Sequence, residues 1–336
     1  MKKQACIAIL LTVLLYKAEA QLIPIYGGER AGLSSLVFLK NDMSARSLGM
    51  AGASVANDGD AYAFMTNPAA AMQLDGSSWS ASNYFIGSDV HQSWLCGSFP
   101  MKDKVSVLGV HLNSLNSGAI PERTEFQPGG TGRSIYVTNL SAGIGYARQL
   151  SSLFSVGVNL KYLYEGIAEY SDHTAAVDVS FLYKTDYNKL QFAVMVQNFG
   201  GNSSLSGSDL PVGFNRSAPG DLEDNTVPTR FMMGVSAVPW EANGHSLRTS
   251  LQLNHPNDNA ENYRIGLEYS WRSILSVRSG MRLNVRGQPY PTFGFSVRSL
   301  MGMHPLYLDY AVNPTDLLGF QHHIGLRYSI LKNERR

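Results

Sequence analysis

The sequence is poor in cysteine, in charge and in long apolar runs. Of the two cysteines in 336 residues, Cys6 falls in the N-terminal apolar run, which leaves Cys96 alone in the rest of the chain. A single thiol provides neither a disulfide framework nor a cysteine-based zinc site. Only 16% of the residues are charged and the net charge is +1, so the chain lacks the basic surface that nucleic-acid binding requires. Beyond residue 20, no apolar run approaches the roughly 20 residues of a spanning helix.

Catalytic and metal-binding signatures are missing as well. The chain has no Walker A motif, no Gly-x-Ser-x-Gly and no His-Glu-x-x-His. His322 and His323 are neighbours on a predicted strand and would point to opposite faces, so they cannot hold one metal together. The sequence Asn-Asp-Gly-Asp at 57–60 is more typical of an Asx turn than of a cation site. We therefore predict a non-enzymatic protein with no cofactor and no metal.

Residues 1–20 have the pattern of a secretory signal peptide. Two lysines precede an apolar run from about Ala5 to Tyr16, and the Ala-Glu-Ala ending at 18–20 suits signal peptidase. A spanning helix is the competing interpretation, but the run is shorter than roughly 20 residues and no stop-transfer flank follows it. We expect an exported protein that begins at Gln21.

The rest of the chain is dominated by strict alternation of apolar and polar residues. In residues 155–164, three aliphatic residues and two tyrosines share one face, opposite a face with Ser155, Asn159 and Lys161. Residues 263–271 repeat the pattern with Tyr, Ile, Leu, Tyr and Trp on the apolar face. A period of two predicts strands with one apolar face each.

A soluble β-sandwich and a membrane barrel both show this alternation. The apolar faces end in aromatic residues, as interfacial girdles do, and the segments run for roughly 10 to 13 residues, the length of tilted spanning strands. Soluble strands usually stop near five or six residues. The fold class that we predict is all-β, a transmembrane antiparallel β-barrel of about fourteen strands with a short N-terminal helical plug.

The turns divide the barrel region, 77–331, into fourteen segments. The predicted strands are 77–86, 90–101, 103–115, 134–149, 153–167, 173–185, 188–199, 228–239, 244–255, 260–271, 273–286, 290–300, 303–313 and 319–331. The two long connections, about 116–133 and 200–227, are the third and the seventh, so both fall at one end of the barrel. A membrane barrel with short periplasmic turns and longer outer loops has all its long connections at odd-numbered positions, whereas a sandwich has no such rule.

Residues 21–76 precede the first strand and should lie at the periplasmic end of the barrel or inside it. Their centre reads SARSLGMAGASVANDGDAYAFMTNPAAAM, in which Asn67 suits an N-cap and Pro68 the first position of a short helix. A solvated leader of small residues is the alternative. We predict a plug that closes the periplasmic half of the lumen, with these motif residues: Ser44, Ala45, Arg46, Gly49, Gly52, Asn67, Pro68 and Ala69.

This opening resembles that of the PorV/PorQ family of outer-membrane proteins. The shared pattern is Ser-Ala-Arg at 44–46, a Gly-containing run at 48–53, an acidic turn at 57–60 and Asn-Pro-Ala at 67–69. The segments KYLYEGIAEYSDHTAAVDVSFLYKT, NFGG and LNHPNDNAENYRIGLEYSW are also similar to the family, so the resemblance covers nearly the whole mature chain. Two departures are Ala70-Ala71 after the Asn-Pro-Ala step and a tail, 332–336, beyond the last aromatic residue.

The resemblance implies a FadL-like fourteen-stranded barrel associated with type IX secretion, in the Gram-negative outer membrane of a Bacteroidetes-like cell. Its partners would be outer-membrane lipid, lipopolysaccharide, secreted proteins and other secretion-system components. A FadL-like transporter of hydrophobic small molecules is the alternative function. The apolar residues Leu205, Leu210 and Phe214 are too few in the seventh connection for a strong lipid clamp.

Charged residues on the polar strand faces are the remaining candidates for function. Their mixed signs on neighbouring strands predict ion pairs, either as a network that fills a closed lumen or as the lining of a solute path, because a buried charge without a partner costs several kcal/mol. The predicted network comprises Lys161, Asp178, Arg264, Glu268, Arg278, Arg282, Asp309 and Arg327.

Overall fold

The computed structural model of the chain describes residues 32–207 and 223–331. The predicted signal peptide at 1–20 and the tail at 332–336 lie outside the described residues, as do Leu210 and Phe214 of the seventh connection. Within the described residues, no helix combines the length and the apolar character needed to cross a membrane.

Fourteen antiparallel strands close into a single barrel, which confirms the predicted fold class and strand number. Each strand pairs with its neighbours along the chain, and the first strand pairs with the last from Gly76 opposite Leu331 to Phe85 opposite His322. The barrel strands are β1 (Gly76–Gly87), β2 (Val90–Pro100), β3 (Ser106–Asn116), β6 (Val137–Gln149), β7 (Phe154–Ile167), β8 (Tyr170–Lys184), β9 (Gln191–Gly200), β10 (Arg230–Ala242), β11 (His245–Pro256), β12 (Asn262–Trp271), β13 (Leu275–Leu283), β14 (Thr292–Met301), β15 (His304–Thr315) and β16 (Gly319–Leu331).

The two long connections lie at the same end of the barrel, opposite the end where β1 begins and β16 ends. We call these the long-loop end and the short-turn end. The third connection carries a small ribbon of two strands, β4 (Ile120–Pro121) and β5 (Ser134–Ile135). In the part of the chain that the structure describes, the helical segments all precede β1. They are a 3-10 turn (Val37–Lys40), α1 (Ala45–Gly49), α2 (Ala63–Thr66) and a second 3-10 helix (Pro68–Gln73).

Some predicted strand bounds are wrong by a few residues. The third barrel strand starts at Ser106 rather than 103, because the Asp103 carboxylate accepts the backbone N–H groups of Val105 and Ser106 and closes a turn. The predicted strand 134–149 is interrupted, since its first two residues belong to the ribbon and the barrel strand begins at Val137. At Asn284 the backbone enters the left-handed region at φ 63°, which ends β13 before the predicted 286.

The outer surface of the barrel is apolar, as lipid contact requires. Leu267, near the middle of β12, is 45% exposed, and its strand neighbours Ile265 and Tyr269 face the same way. Two tyrosine–histidine pairs lie toward the long-loop end, Tyr162–His173 and Tyr310–His322, and in the second the Tyr310 hydroxyl is 2.7 Å from His322 Nδ1. A third pair, His245–Tyr269, lies at the short-turn end. Trp271 lies at the short-turn end of the same surface. The aromatic residues therefore form two girdles around an aliphatic belt.

Replacing Leu267 with arginine should impair assembly of the barrel. An arginine near the bilayer midplane costs roughly 2–4 kcal/mol. We expect a matching loss of the heat-modifiable, folded band after refolding into lipid vesicles. The control Leu267→Phe keeps an apolar side chain there and should fold like the parent. Equal folded yields for the arginine and phenylalanine variants would contradict the assignment of this face to lipid.

Candidate functional site in the barrel lumen

The segment before β1 runs through the lumen from one end to the other. At the long-loop end, Ser34 bridges to Thr226, and Lys40 Nζ lies 2.7 Å from Asp258 Oδ2. At the short-turn end, Gln73 donates to the Gln191 side chain at 3.1 Å. We call residues 33–75 the plug. The sequence predicts that this segment closes the periplasmic half, whereas the plug contacts the wall in both halves of the lumen.

Side-chain caps organise the short helices of the plug. Ser44 Oγ accepts the Ser47 N–H at 3.1 Å and caps α1. Asn67 accepts the Ala69 N–H at 3.0 Å and donates to the Val55 carbonyl at 2.5 Å, so it caps the second 3-10 helix and also joins it to the preceding turn. All eight residues of the predicted plug motif lie in this segment, and seven of them are buried while Arg46 is half-buried.

Glycines of the barrel wall form sockets for the larger plug side chains. Phe64, fully buried, lies over Gly109 of β3 and Gly145 of β6, where an added Cβ would overlap its ring. Met50 lies in the same way over Gly266 of β12 and Gly280 of β13. Because these glycines face inward, the absence of a side chain lets the plug approach the wall backbone closely.

Three more wall glycines make room for the plug. Gly234 of β10 lies under Val55, and Gly157 of β7 lies under the Pro68–Ala69 step. Gly294 of β14 faces Gly49, so that two glycine backbones meet, with Gly294 Cα 3.2 Å from the position of a Cβ added at Gly49. The plug is therefore fitted to the wall on nearly every side.

The charged contacts at the short-turn half centre on Glu268 of β12. Arg46 of the plug binds it with Nε and Nη2 at 3.0 Å each, and Arg278 of β13 donates to it at 2.5 Å. The plug carboxylate Asp60 lies 3.4 Å from both Arg46 and Arg327. Asp60 also accepts the Tyr62 N–H at 2.9 Å, which is the Asx turn that the acidic motif predicts. These pairs connect the plug directly to the wall.

Asp309 of β15 continues this network on the wall. Its carboxylate accepts from Arg327 at 2.5 Å and 2.8 Å and from the Ser296 hydroxyl, and it lies 3.8 Å from Arg278. The neighbouring plug carboxylate, Asp58, pairs with Arg248 of β11. The charges in this half therefore have partners on both the plug and the wall.

A second charged group surrounds Asp42 in the long-loop half. Arg282 Nη2 lies 2.6 Å from the Asp42 carboxylate and Arg264 Nη1 lies 3.3 Å from it. Burial raises the pKa of Asp42, but the positive charges of Arg282, Arg264 and Arg230 outweigh that effect and hold the pKa below its ordinary value. Asp42 is therefore ionised at neutral pH.

The pair Lys161–Asp178 is separate from the other two groups. The two side chains are buried 2.6 Å apart on β7 and β8. Asp178 also accepts the backbone N–H of Asn198 at 2.7 Å, at a point where the β8–β9 register shifts and Gln197 and Asn198 together oppose Asp178. The eight predicted network residues all face the lumen, but they form three groups rather than one. Whether they fill a closed lumen or line a solute path stays a prediction.

Where β16 meets β1 and β2, the lumen contains an aromatic cluster. Trp94 of β2 stacks on His323 of β16 at 5.1 Å, and Tyr84 of β1 lies 5.2 Å from the same imidazole ring. His323 is fully buried whereas its neighbour His322 is exposed, as alternation requires. The free thiol of Cys96 is buried in the same cluster. Ion pairs and apolar packing therefore both hold the plug in the lumen.

A polar cavity opens at the short-turn end. Its volume is about 400 Å³, and serines and charged residues of both signs line it, including Asp75, Ser276 and Arg278. Within residues 32–207 and 223–331, no group of His, Cys, Asp and Glu side chains could hold a metal ion. Leu205, of the predicted outer-loop set, is half-buried in the seventh connection.

Sequence reasoning missed the glycine sockets and the plug carboxylate Asp42. A signal for the sockets is present in the alternation, because Gly157, Gly266 and Gly280 occupy the same alternate positions as the polar residues of their strands. Small residues on a face that otherwise carries charges indicate a close neighbour inside the barrel. No comparable signal singles out Asp42, since its partners are more than 200 positions away along the chain.

A large side chain in one glycine socket should displace the plug. Removing the plug side chain that occupies this socket should restore the position of the plug. Gly145→Leu would overlap the Phe64 ring, and overpacking costs typically 1–3 kcal/mol. We expect a lower thermal midpoint and faster protease cleavage of the plug. Phe64→Ala in the same chain should recover part of the loss. The control Gly129→Leu, where an added Cβ meets nothing within 4 Å, should behave like the parent. Failure of Phe64→Ala to rescue would contradict the socket.

Neutralising Glu268 should be far more damaging than neutralising an exposed partner. Glu268→Gln leaves Arg46 and Arg278 without their main counter-charge, and breaking a buried pair costs about 3–5 kcal/mol. The control Glu241→Gln breaks the exposed pair with Lys189 and should cost less than about 1 kcal/mol. Chemical unfolding in detergent measures both. Similar losses for the two variants would show that the plug contacts contribute little stability.

Comparison with known proteins rests on structure alone. No family model matches the sequence, and no curated protein matches it. The monoaromatic hydrocarbon channel CymD superposes with a TM-score of 0.59 at 12% identity, over 90% of this chain and 100% of the channel. The Pseudomonas putida toluene transporter TodX gives 0.55 at 13% identity, over 90% and 98%. A Pseudomonas aeruginosa FadL homologue gives 0.53 at 11% identity, over 86% and 98%. The chain therefore has the fold of the FadL-like barrels.

Proposed function

We propose that the protein moves a small hydrophobic molecule across the outer membrane of a Gram-negative bacterium, surrounded by outer-membrane lipid and lipopolysaccharide. The observation that carries this proposal is the fold that it shares, over almost the full length of both chains, with hydrocarbon and toluene channels. That likeness favours transport over a type IX secretion role. The apolar belt and the two aromatic girdles support a location in a membrane.

The long-loop mouth of the lumen has the apolar character that such a molecule needs. Leu36, Phe38 and Leu39 of the plug pack there against Leu163 of β7 and Val227 of the seventh connection. Transfer of an apolar molecule from water to such a cluster is favourable. These five side chains are at most 2% exposed, so the cluster would take up the molecule at the long-loop end only when its side chains separate.

The packed plug is compatible with transport of apolar molecules and opposes diffusion of polar ones. Two cavities that border the plug in the long-loop half have volumes of only about 30 Å³ and 10 Å³, so plug and wall are closely packed around them. An apolar molecule needs no water path, but it needs a displacement of the plug or an opening in the wall. The β8–β9 register shift beside Asp178 is the point near the apolar mouth where the ladder is already interrupted.

Uptake of an aromatic hydrocarbon tests the transport proposal. Cells that produce the parent should accumulate radiolabelled toluene, at concentrations too low for rapid passive entry, faster than cells without it. Liposomes that contain the protein should exclude arabinose, because the plug blocks polar solutes. Deletion of Ser44–Met72 should raise the permeability to arabinose. Toluene uptake equal to that of cells without the protein would contradict the proposal.

A second candidate function is the one that the sequence resemblance implies, an adaptor that holds exported proteins for a type IX-like system. The packed lumen favours it, as do apolar side chains at the long-loop end, where Phe126 of the third connection and Leu317 of the last one are more than nine-tenths exposed. Photo-crosslinking from position 126 in intact cells tests it. Adducts with secreted proteins, together with no toluene uptake, would favour the adaptor over the transporter.

A further inference from the structure

The charges around Asp42 do not balance. Arg264 of β12 and Arg282 of β13 pair with this one carboxylate, and Arg230 of β10 lines the same small cavity as Asp42 and Arg264. Arg264 and Arg282 are also directly opposite each other in the β12–β13 register, an arrangement of like charges that is destabilising without a counter-charge between them.

The nearest further carboxylates are already neutralised. Asp258 lies 2.7 Å from Lys40 Nζ, and Asp178 lies 2.6 Å from Lys161 Nζ. The other partners of the three guanidinium groups are neutral: Arg230 donates to the Leu39 carbonyl, and Arg282 donates to Asn313 at 3.0 Å. The group therefore keeps two excess positive charges inside the lumen. Arginine does not lose its proton in proteins, so a change of protonation cannot remove them.

A small cavity adjoins this excess charge. Its volume is about 30 Å³, enough for one or two water-sized groups, and Arg230, Arg264, Gln252 and the Asp42 carboxylate are among the residues that line it. Arg230 is more than nine-tenths buried, and its Nε has no hydrogen-bond partner among the described residues. Gly52, also at this cavity, has no Cβ that would overlap Arg264 and Asp42.

We propose that this cavity is a binding site for one small monoatomic anion of the halide class, held between Arg230 and Arg264 at the boundary of plug and wall. The Asp42 carboxylate repels the anion, but the three guanidinium groups outweigh that repulsion. The bound halide reduces the excess charge that burial makes costly. Because wall and plug both contribute residues to the site, the halide stabilises the plugged state and links the stability of the protein to halide concentration.

The test uses the full-length protein in detergent, with sodium bromide exchanged for sodium gluconate at constant ionic strength so that screening does not change. The thermal midpoint of the parent should rise with bromide and saturate. Arg230→Gln and Arg264→Gln should weaken the fitted bromide affinity about tenfold or more, because each removes a charged donor. Asp42→Asn should strengthen it, because the competing carboxylate is gone.

Arg298→Gln is the matched control. Arg298 is also a strand arginine whose Nε has no partner among the described residues, but it lies on β14 over the Tyr307 ring, outside the group. This variant should keep the bromide affinity of the parent. Crystals of the parent grown in bromide should show an anomalous peak between Arg230 and Arg264, a readout that does not depend on any variant folding. An absent peak, or the same bromide response in Arg230→Gln and Arg298→Gln, would overturn the proposal.

Discussion

The ion pairs between plug and wall are the interaction on which the rest of the structure depends. A closed barrel of fourteen strands encloses more space than its own side chains readily fill, so something else must occupy the lumen. Here the filling is the chain's own N-terminal segment, and its charged residues Asp42, Arg46 and Asp60 each pair with a wall residue of opposite sign. Removing the plug would leave those wall charges without their partners inside a narrow lumen, which is costly.

The remaining features follow from this constraint. Charges attract over a distance but do not determine how closely the plug and the wall pack. The inward-facing glycines allow close packing, because they let Met50, Val55 and Phe64 approach the wall backbone. The aromatic cluster of Trp94, Tyr84 and His323 adds packing beside the charged groups. We expect a lumen packed in this way to oppose the passage of polar solutes. The apolar cluster at the long-loop mouth is the feature that the proposed transport of hydrophobic molecules would use.

Much of the fold could be predicted because alternation and loop parity are local signals. The strand number and the lipid-facing positions of β12 follow from a period of two. The caps at Ser44 and Asn67 are also local, and their residue types indicate them. The partners of Asp42 could not be predicted, because they are set by how the plug threads the lumen, a choice that pairs residues more than 200 positions apart. The path of the plug through both halves was missed for the same reason, since nothing in residues 33–43 indicates to which end of the barrel they return.

Hydrogen exchange of the plug amides in the membrane-inserted protein tests the central claim most directly. If the plug is an integral part of the barrel, the amides of α1, of α2 and of the turn between them should exchange as slowly as those of the strands they contact, and far more slowly than those of the third connection. Exchange of the plug amides at the rate of that exposed connection, with the strands still protected, would show that the segment is not held by the wall and would contradict the account.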